Sequence, residues 1–186
     1  MEDGILTAPA AYSAPSAYYS PNAARMGGIE ILKGSSQIAH GPHTTGGVVN
    51  YLSTQFPTDH SFYLRSAYGS NSAFDIHSYW SDTSEGNFGR IGILAEIYYR
   101  QTDGYRTIDA GNGYGGSDKT GFDLMEPMVK IFWEPNSDVY QRWEFKYGYT
   151  EFGADETYAG LTESDFKANP YRRYAGTFLD HMATEH

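Results

Sequence analysis

Beyond Pro57, apolar and polar residues alternate in long runs, the period-two signature of half-buried β-strands. Phe62, Leu64 and Tyr68 share one face of "SFYLRSAYG", and Phe74, Ile76 and Trp80 share one face of "SAFDIHSYW". "RIGILAEIYYR" sets Ile91, Ile93, Ala95, Ile97 and Tyr99 against Leu94, Glu96, Tyr98 and Arg100. "GFDLMEPMVKIFW" carries Met125, Val129, Ile131 and Trp133 on its apolar side. "RWEFKYGYT" opposes Trp143, Phe145, Tyr147 and Tyr149 to Arg142, Glu144, Lys146, Gly148 and Thr150. The pattern predicts five antiparallel strands in a meander. The links "SDTSEGNFG" and "EPNSD" fall at one end, and two longer links, from Gln101 and from Glu151, fall at the other. The segment from Glu151 is expected to run on as loop to the end of the chain. Pro127 cannot donate to a ladder, so it predicts a local bulge or a break in the fourth strand.

Before Pro57 the pattern is different. Leu6–Pro21, rich in Pro, Ala, Ser and Tyr, predicts a loop. Ile29–Lys33 and Val48–Ser53 are β-prone runs, joined by a segment holding Gly34, Gly41, Pro42, Gly46 and Gly47.

Two settings fit such alternation, a soluble β-core and a membrane barrel. The apolar faces of the third and fifth strands carry no charge, whereas the opposite faces hold Glu96, Arg100, Arg142, Glu144 and Lys146. A one-residue slip would put those charges on the apolar side, at ~2–4 kcal/mol for each Arg or Lys near a bilayer midplane, so register is well specified. Alternation over roughly 9–11 residues suits a tilted spanning strand and exceeds the ~5–6 usual in a globular sheet. Strand length therefore favours the membrane.

Composition agrees. Seventeen Tyr and 21 Gly accompany an absence of Cys, which excludes disulfides, thiolate metal sites and cysteine nucleophiles. A formal charge of −10 argues against nucleic acid as a partner. Mean hydropathy is −0.55 and no apolar run reaches the ~18 residues of a spanning helix, but barrel strands give weak averages too. "MEDGILTAPA" has neither a basic nor an apolar signal region, so an exported protein is expected to begin upstream of it.

"IEILKGSSQIAHGPHTTGGVVNYLST", Ile29–Thr54, closely resembles the end of the plug domain of TonB-dependent outer-membrane receptors. There an "(I/V)E(V/I)(L/V)(R/K)G" strand precedes a "YGP/G…GG(V/I)(I/V)N" strand. The matching residues are Ile29, Glu30, Lys33, Gly34, Gly41, Gly46, Gly47 and Asn50; His40 departs from the family's usual Tyr. "APAAYSAPSAYYSP" is similar to the apical loop of the ferric-dicitrate branch, and "WEPNSD" to a periplasmic turn.

The resemblance implies an all-β fold, with residues 1–57 the C-terminal half of a plug and residues 58–186 about five strands of an incomplete transmembrane β-barrel of ~22 strands. It also implies that the signal peptide, the TonB box, the first half of the plug and about seventeen strands lie outside this chain. The implied function is uptake of a ferric chelate, ferric dicitrate or another siderophore, across the Gram-negative outer membrane, with the TonB energy-transducing complex and lipid as partners. A different cargo, cobalamin or a glycan, and a soluble all-β binding module are the alternatives.

No enzyme is expected and no cofactor. Lys33-Gly34 lacks phosphate-loop spacing, and no nucleophile elbow occurs. His40 and His43 read as a hydrogen-bonded loop pair rather than a metal site. Ligand contact is assigned to Tyr12, Ser16, Tyr18 and Tyr19 in the loop and to Arg106, Arg172 and Arg173 in the long links, since guanidiniums grip anionic carboxylates bidentately. The competing reading is that the tyrosines pack and that Arg172 and Arg173 pair with Glu163 or Asp165.

Overall fold

The computed structural model describes residues 1–5, 7, 21–34, 46–107, 119–157, 162–171 and 178–185. The chain divides into two compact units, Met1–Pro57 and Thr58–His186.

In Met1–Pro57, β1 (Gly28–Lys33) pairs antiparallel with β2 (Gly47–Leu52), with Glu30 opposite Asn50 and Lys33 opposite Gly47. Both predicted strands are present within a residue of their expected ends. A short 3-10 turn at Ala23–Arg25 precedes β1, capped by Asn22, whose side chain accepts from the Ala24 amide. The first residues lie beside β2: the Tyr51 amide donates to the Met1 carbonyl, and the Asp3 amide to the Tyr51 carbonyl.

Thr58–His186 forms a seven-stranded sheet in which every neighbouring pair is antiparallel. The first four strands are β3 (Ser61–Tyr68), β4 (Phe74–Gly86), β5 (Gly89–Thr102) and β6 (Phe122–Glu134). They are followed by β7 (Trp143–Gly148), β8 (Glu151–Thr157) and β9 (Phe178–Glu185). One short helix, α1 (Glu163–Ala168), lies between β8 and β9.

Three expectations are corrected. Seven strands replace five, because the segment from Glu151, expected as loop, supplies β8 and β9. The link "SDTSEGNFG" shrinks to Asn87-Phe88, because β4 and β5 stay paired down to Gly86 opposite Gly89. Backbone bonds sustain this ladder after the apolar alternation has ended. Gly89 makes so tight a reversal possible: its φ is +103°, and a Cβ there would lie 2.0 Å from the Glu134 carbonyl oxygen.

Pro127 neither bulges nor breaks β6, which passes through it in register with Ile97 opposite. The consequence falls on the neighbour. The Tyr149 amide donates to the Pro127 carbonyl at 3.0 Å, but Pro127 has no N–H to return. The strand beside it is therefore divided into β7 and β8 at Tyr149-Thr150, while both pieces keep one register along β6, Met128 opposite Gly148 and Met125 opposite Glu151.

The two faces of the sheet are unlike in a way that departs from a soluble sheet. One is buried and polar: His77, Ser81, Glu96, Glu126 and Lys130 are all under a tenth exposed, beside Leu94, Tyr98, Met128 and Phe132. The other is apolar and exposed, from Phe62 and Leu64 through Trp80, Ile91, Ile93, Ile97, Val129, Ile131 and Trp133 to Trp143, Phe145 and Tyr147. Its members are direct cross-strand partners: Phe62 faces Trp80, Ile93 faces Ile131, Ile131 faces Phe145, and Trp133 faces Trp143.

Candidate functional site

The motif residues of β1 and β2 build a hydrogen-bonded frame. Asn50, 4% exposed, donates from Nδ2 to Glu30 Oε2 at 3.2 Å and accepts on Oδ1 from the Gly4 amide at 2.8 Å. One buried amide thus ties β1, β2 and the first residues together, the satisfaction that a buried polar group needs. Gly34 takes φ +70°, and a Cβ on Gly47 would lie 2.8 Å from the Leu32 carbonyl oxygen. Gly46, by contrast, has open space around it. Lys33 is exposed at the end of β1.

Four residues of this frame carried no signal in the sequence. Arg25 reaches Glu2 through Nη1 and Nη2 at 3.0–3.2 Å, with both side chains under a tenth exposed. Asp3 accepts from the Ser53 amide at 2.9 Å and from its hydroxyl at 2.5 Å. Acid and base are separated by 23 positions in one case, and acid and hydroxyl by 50 in the other, so no local pattern announces either.

On the buried face of the larger sheet, alternation had placed Glu96 opposite the apolar side, and the structure adds its partner. His77 Nε2 lies 2.5 Å from Glu96 Oε1, both side chains being under a tenth exposed. His77 also packs edge-on against Tyr63 and Tyr98, and Tyr63 stacks on Tyr79 with centroids 5.1 Å apart. Toward the short-turn end, Phe132 covers Gly92, with the Arg142 guanidinium 4.0 Å from its ring centroid. Arg142 in turn bonds Glu134 at 2.8 Å and Glu144 at 3.3 Å.

The long-link end holds the one predicted ligand contact that is described. Arg106 is exposed, with its guanidinium 5.1 Å from the centroid of the Tyr105 ring and Nε donating to the Tyr105 hydroxyl at 3.0 Å. Beside it, where β5 ends and β6 begins, is a cavity of about 200 Å³ lined by Gln101, Thr102, Asp103, Lys119, Phe122 and Asp123 among others. Lys119 Nζ lies 2.9 Å from Asp103 Oδ2. That bond, with a second from Ser72, holds the Asp103 carboxyl below its ordinary range. The base of the link is tied down: the Asp103 amide and the Thr102 hydroxyl both donate to the Asn71 carbonyl, and the Gly104 amide donates to Thr102 Oγ1.

Tyr12, Ser16, Tyr18, Tyr19, Gly41, Arg172 and Arg173 lie outside the described residues, as do His40 and His43. Of the acids offered as partners for Arg172 and Arg173, Glu163 pairs with Lys167 at 2.5 Å. No group of three or more His, Cys, Asp or Glu that could hold a metal ion occurs among the described residues. Among the described residues no helix is long and apolar enough to cross a membrane, which leaves crossing by strands open. Compared with known proteins, the chain matches no family model, no curated protein and no solved structure.

Proposed function

We infer that the chain is part of a TonB-dependent outer-membrane receptor: Met1–Pro57 the end of its plug, and Thr58–His186 a section of the wall of a larger barrel. The observation that carries the reading is the inverted burial of the sheet. A soluble sheet would have to expose a dozen large apolar side chains while burying Glu96, Glu126 and Lys130. Contiguous apolar surface on that scale marks an interaction site or a membrane, and each buried ion carries a desolvation penalty of several kcal/mol. In a barrel wall the first cost vanishes, since lipid covers the apolar side, and the polar groups lie on the lumen side, which such barrels keep polar.

The dimensions support it. β5 has 14 residues, β4 and β6 have 13 each, and ~9–11 span a bilayer when tilted. From Ile91 to Tyr99 the outward positions extend about eight steps of ~3.4 Å, roughly 20 Å across the membrane at a 35–45° tilt, near the ~25 Å apolar band of such barrels. The two longest links, after β5 and after β8, fall at one end of the sheet together with the short β3–β4 turn, and the links after β4 and β6 fall at the other, an arrangement that fits extracellular and periplasmic sides.

The cargo rests on the resemblance of Ile29–Thr54 and of the loop before it, and is a ferric chelate, with ferric dicitrate the leading candidate. Uptake would be driven by the TonB complex. The test is growth of a deletion strain with ferric citrate as sole iron source. Loss of growth, restored by the intact gene, is the expected outcome; unimpaired growth and ⁵⁵Fe-citrate uptake would exclude this cargo. A full-length gene product that stays monodisperse in water without detergent would end the barrel reading and leave a soluble all-β binding module.

A further inference from the structure

The outward face of the larger sheet is apolar only along a definite run of each strand. The run goes from Phe62 to Tyr68 on β3, from Phe74 to Trp80 on β4 and from Ile91 to Tyr99 on β5. It goes from Met125 to Trp133 on β6, and from Trp143 along β7 to Tyr149 just beyond it. Where the runs stop, the next outward positions include His60 and Asp82 at one end and Gln101, Asp123 and Glu151 at the other.

The runs do not lie square across the sheet. The positions midway along the β3 and β4 runs, Arg65 and His77, face each other. Midway along the β5 run is Ala95, which faces Trp80, three residues beyond His77 toward the β4–β5 turn. Val129, midway on β6, faces Ala95, and Lys146, midway on the last run, faces Lys130, one residue further again. Over four strand-to-strand steps the band therefore slides four residues toward that turn, about one residue per strand. With ~3.4 Å per residue and ~4.8 Å between strands, such a slide is a tilt of about 35°. A slab of constant thickness crossing strands tilted by ~35–45° leaves this outline. A second protein layer packed on the face would impose no such pair of parallel, oblique edges.

The edges also differ in chemistry from the interior. Of the run ends, all but Ile91 and Met125 are aromatic, whereas inside the runs only Phe145 and Tyr147 are. All three tryptophans of the chain, Trp80, Trp133 and Trp143, fall at the edge near the β4–β5 turn, each more than a third exposed. Rings with a polar tip favour the boundary between hydrocarbon and headgroups.

We propose that a bilayer crosses this sheet obliquely, one headgroup zone lying at Phe62, Trp80, Trp133 and Trp143 and the other at Tyr68, Phe74, Tyr99 and Tyr149. This placement rests on the membrane reading and adds to it where lipid begins and ends on each strand. Trp80 tests it, because it faces Ala95, which faces Val129, four residues short of Trp133. If the rows of facing residues lay in the membrane plane, Trp80 would sit ~14 Å deeper than Trp133; a 35° tilt brings the two within about 6 Å.

The experiment is quenching of tryptophan emission in proteoliposomes by brominated phosphatidylcholines, with bromines either near the headgroup or near the ends of the acyl chains. Emission of the unsubstituted chain should be quenched about two-fold more strongly by the shallow bromines than by the deep ones. Trp133→Phe with Trp143→Phe leaves Trp80 alone, and Trp80→Phe with Trp143→Phe leaves Trp133 alone. Both should keep the preference for shallow bromines. Stronger quenching of the lone Trp80 by deep bromines, or equal quenching of the unsubstituted chain by both lipids, would overturn the oblique placement and leave the membrane reading standing. No quenching by either lipid would overturn the membrane reading itself, and this placement with it.

Discussion

At the scale of single residues, the buried Glu2–Arg25 pair shows why a contact and its worth are different quantities. Removing one partner strands the other charge, at about 3–5 kcal/mol, whereas replacing both with apolar residues of similar size is often neutral. Arg25→Ala should therefore lower the stability of Met1–Pro57 by that amount, and Glu2→Leu with Arg25→Met should recover most of it in urea melts; equal losses in the two would show that the pair itself is stabilising. Gly92 gives a steric case. A Cβ there would lie 2.1 Å from Phe132 Cε1, so Gly92→Ala must displace the ring from beneath Arg142, at about 1–3 kcal/mol by the usual cost of overpacking. Combining it with Phe132→Leu should relieve the strain, which thermal unfolding of the double variant checks.

Asp103 carries a pH dependence whose sign follows from its partners. Lys119 and Ser72 favour the ionised carboxylate, so the folded state binds its proton more weakly than the unfolded chain, whose carboxyl titrates near ~3.9. The contribution is fully present above that pH and is lost as pH falls through the lower folded value. Being half-exposed, it is also weakened by salt. A stability profile from about pH 5 to pH 2 should fall less steeply in Lys119→Gln than in the parent; parallel profiles would exclude the linkage.

At the scale of elements, Pro127 separates what a sequence shows from what a sheet does with it. The residue marks a missing donor, but not which neighbour feels the loss. In β6 its N and O point toward Tyr149, so the interruption appears between β7 and β8. Pro127→Val would restore a hydrogen bond worth ~0.5–1.5 kcal/mol and forfeit ~0.4–1 kcal/mol of unfolded-state restriction. Stability should stay at or slightly above the parent, and the new amide at residue 127 should resist hydrogen exchange; rapid exchange there would contradict the account.

The strands that could be read in advance were those whose side chains alternate. "RIGILAEIYYR" declares its faces through five apolar residues and three charges. "EFGADET" does not, because Gly153 and Ala154 offer little side chain to pattern, and β8 is held by backbone pairing to β6. The polar run Asp82–Gly86 was invisible for the same reason: hydrogen bonds to Ile93–Gly89 continue where side-chain contrast has stopped. In the site, Arg106 could be singled out by its charge in a long link, but Gln101, Asp103, Lys119 and Asp123 become neighbours only when β5 and β6 pair.

At the scale of the whole molecule, the central claim is that the exposed apolar face meets lipid. Its dozen large side chains are ordinary for a membrane wall and untenable in water, while His77, Glu96, Glu126 and Lys130 show the reverse preference on the other side. The absence of cysteine makes the claim directly testable, since single cysteines can be introduced without a competing thiol. The decisive measurement is a nitroxide scan of β5 from Arg90 to Arg100 in proteoliposomes, with relaxation by oxygen compared with relaxation by a water-soluble nickel complex. Labels at 91, 93, 95, 97 and 99 should relax with oxygen and resist nickel, and labels at the even positions should not share that behaviour. Nickel access at the odd positions equal to that of an exposed turn such as Asn87 would contradict the membrane reading.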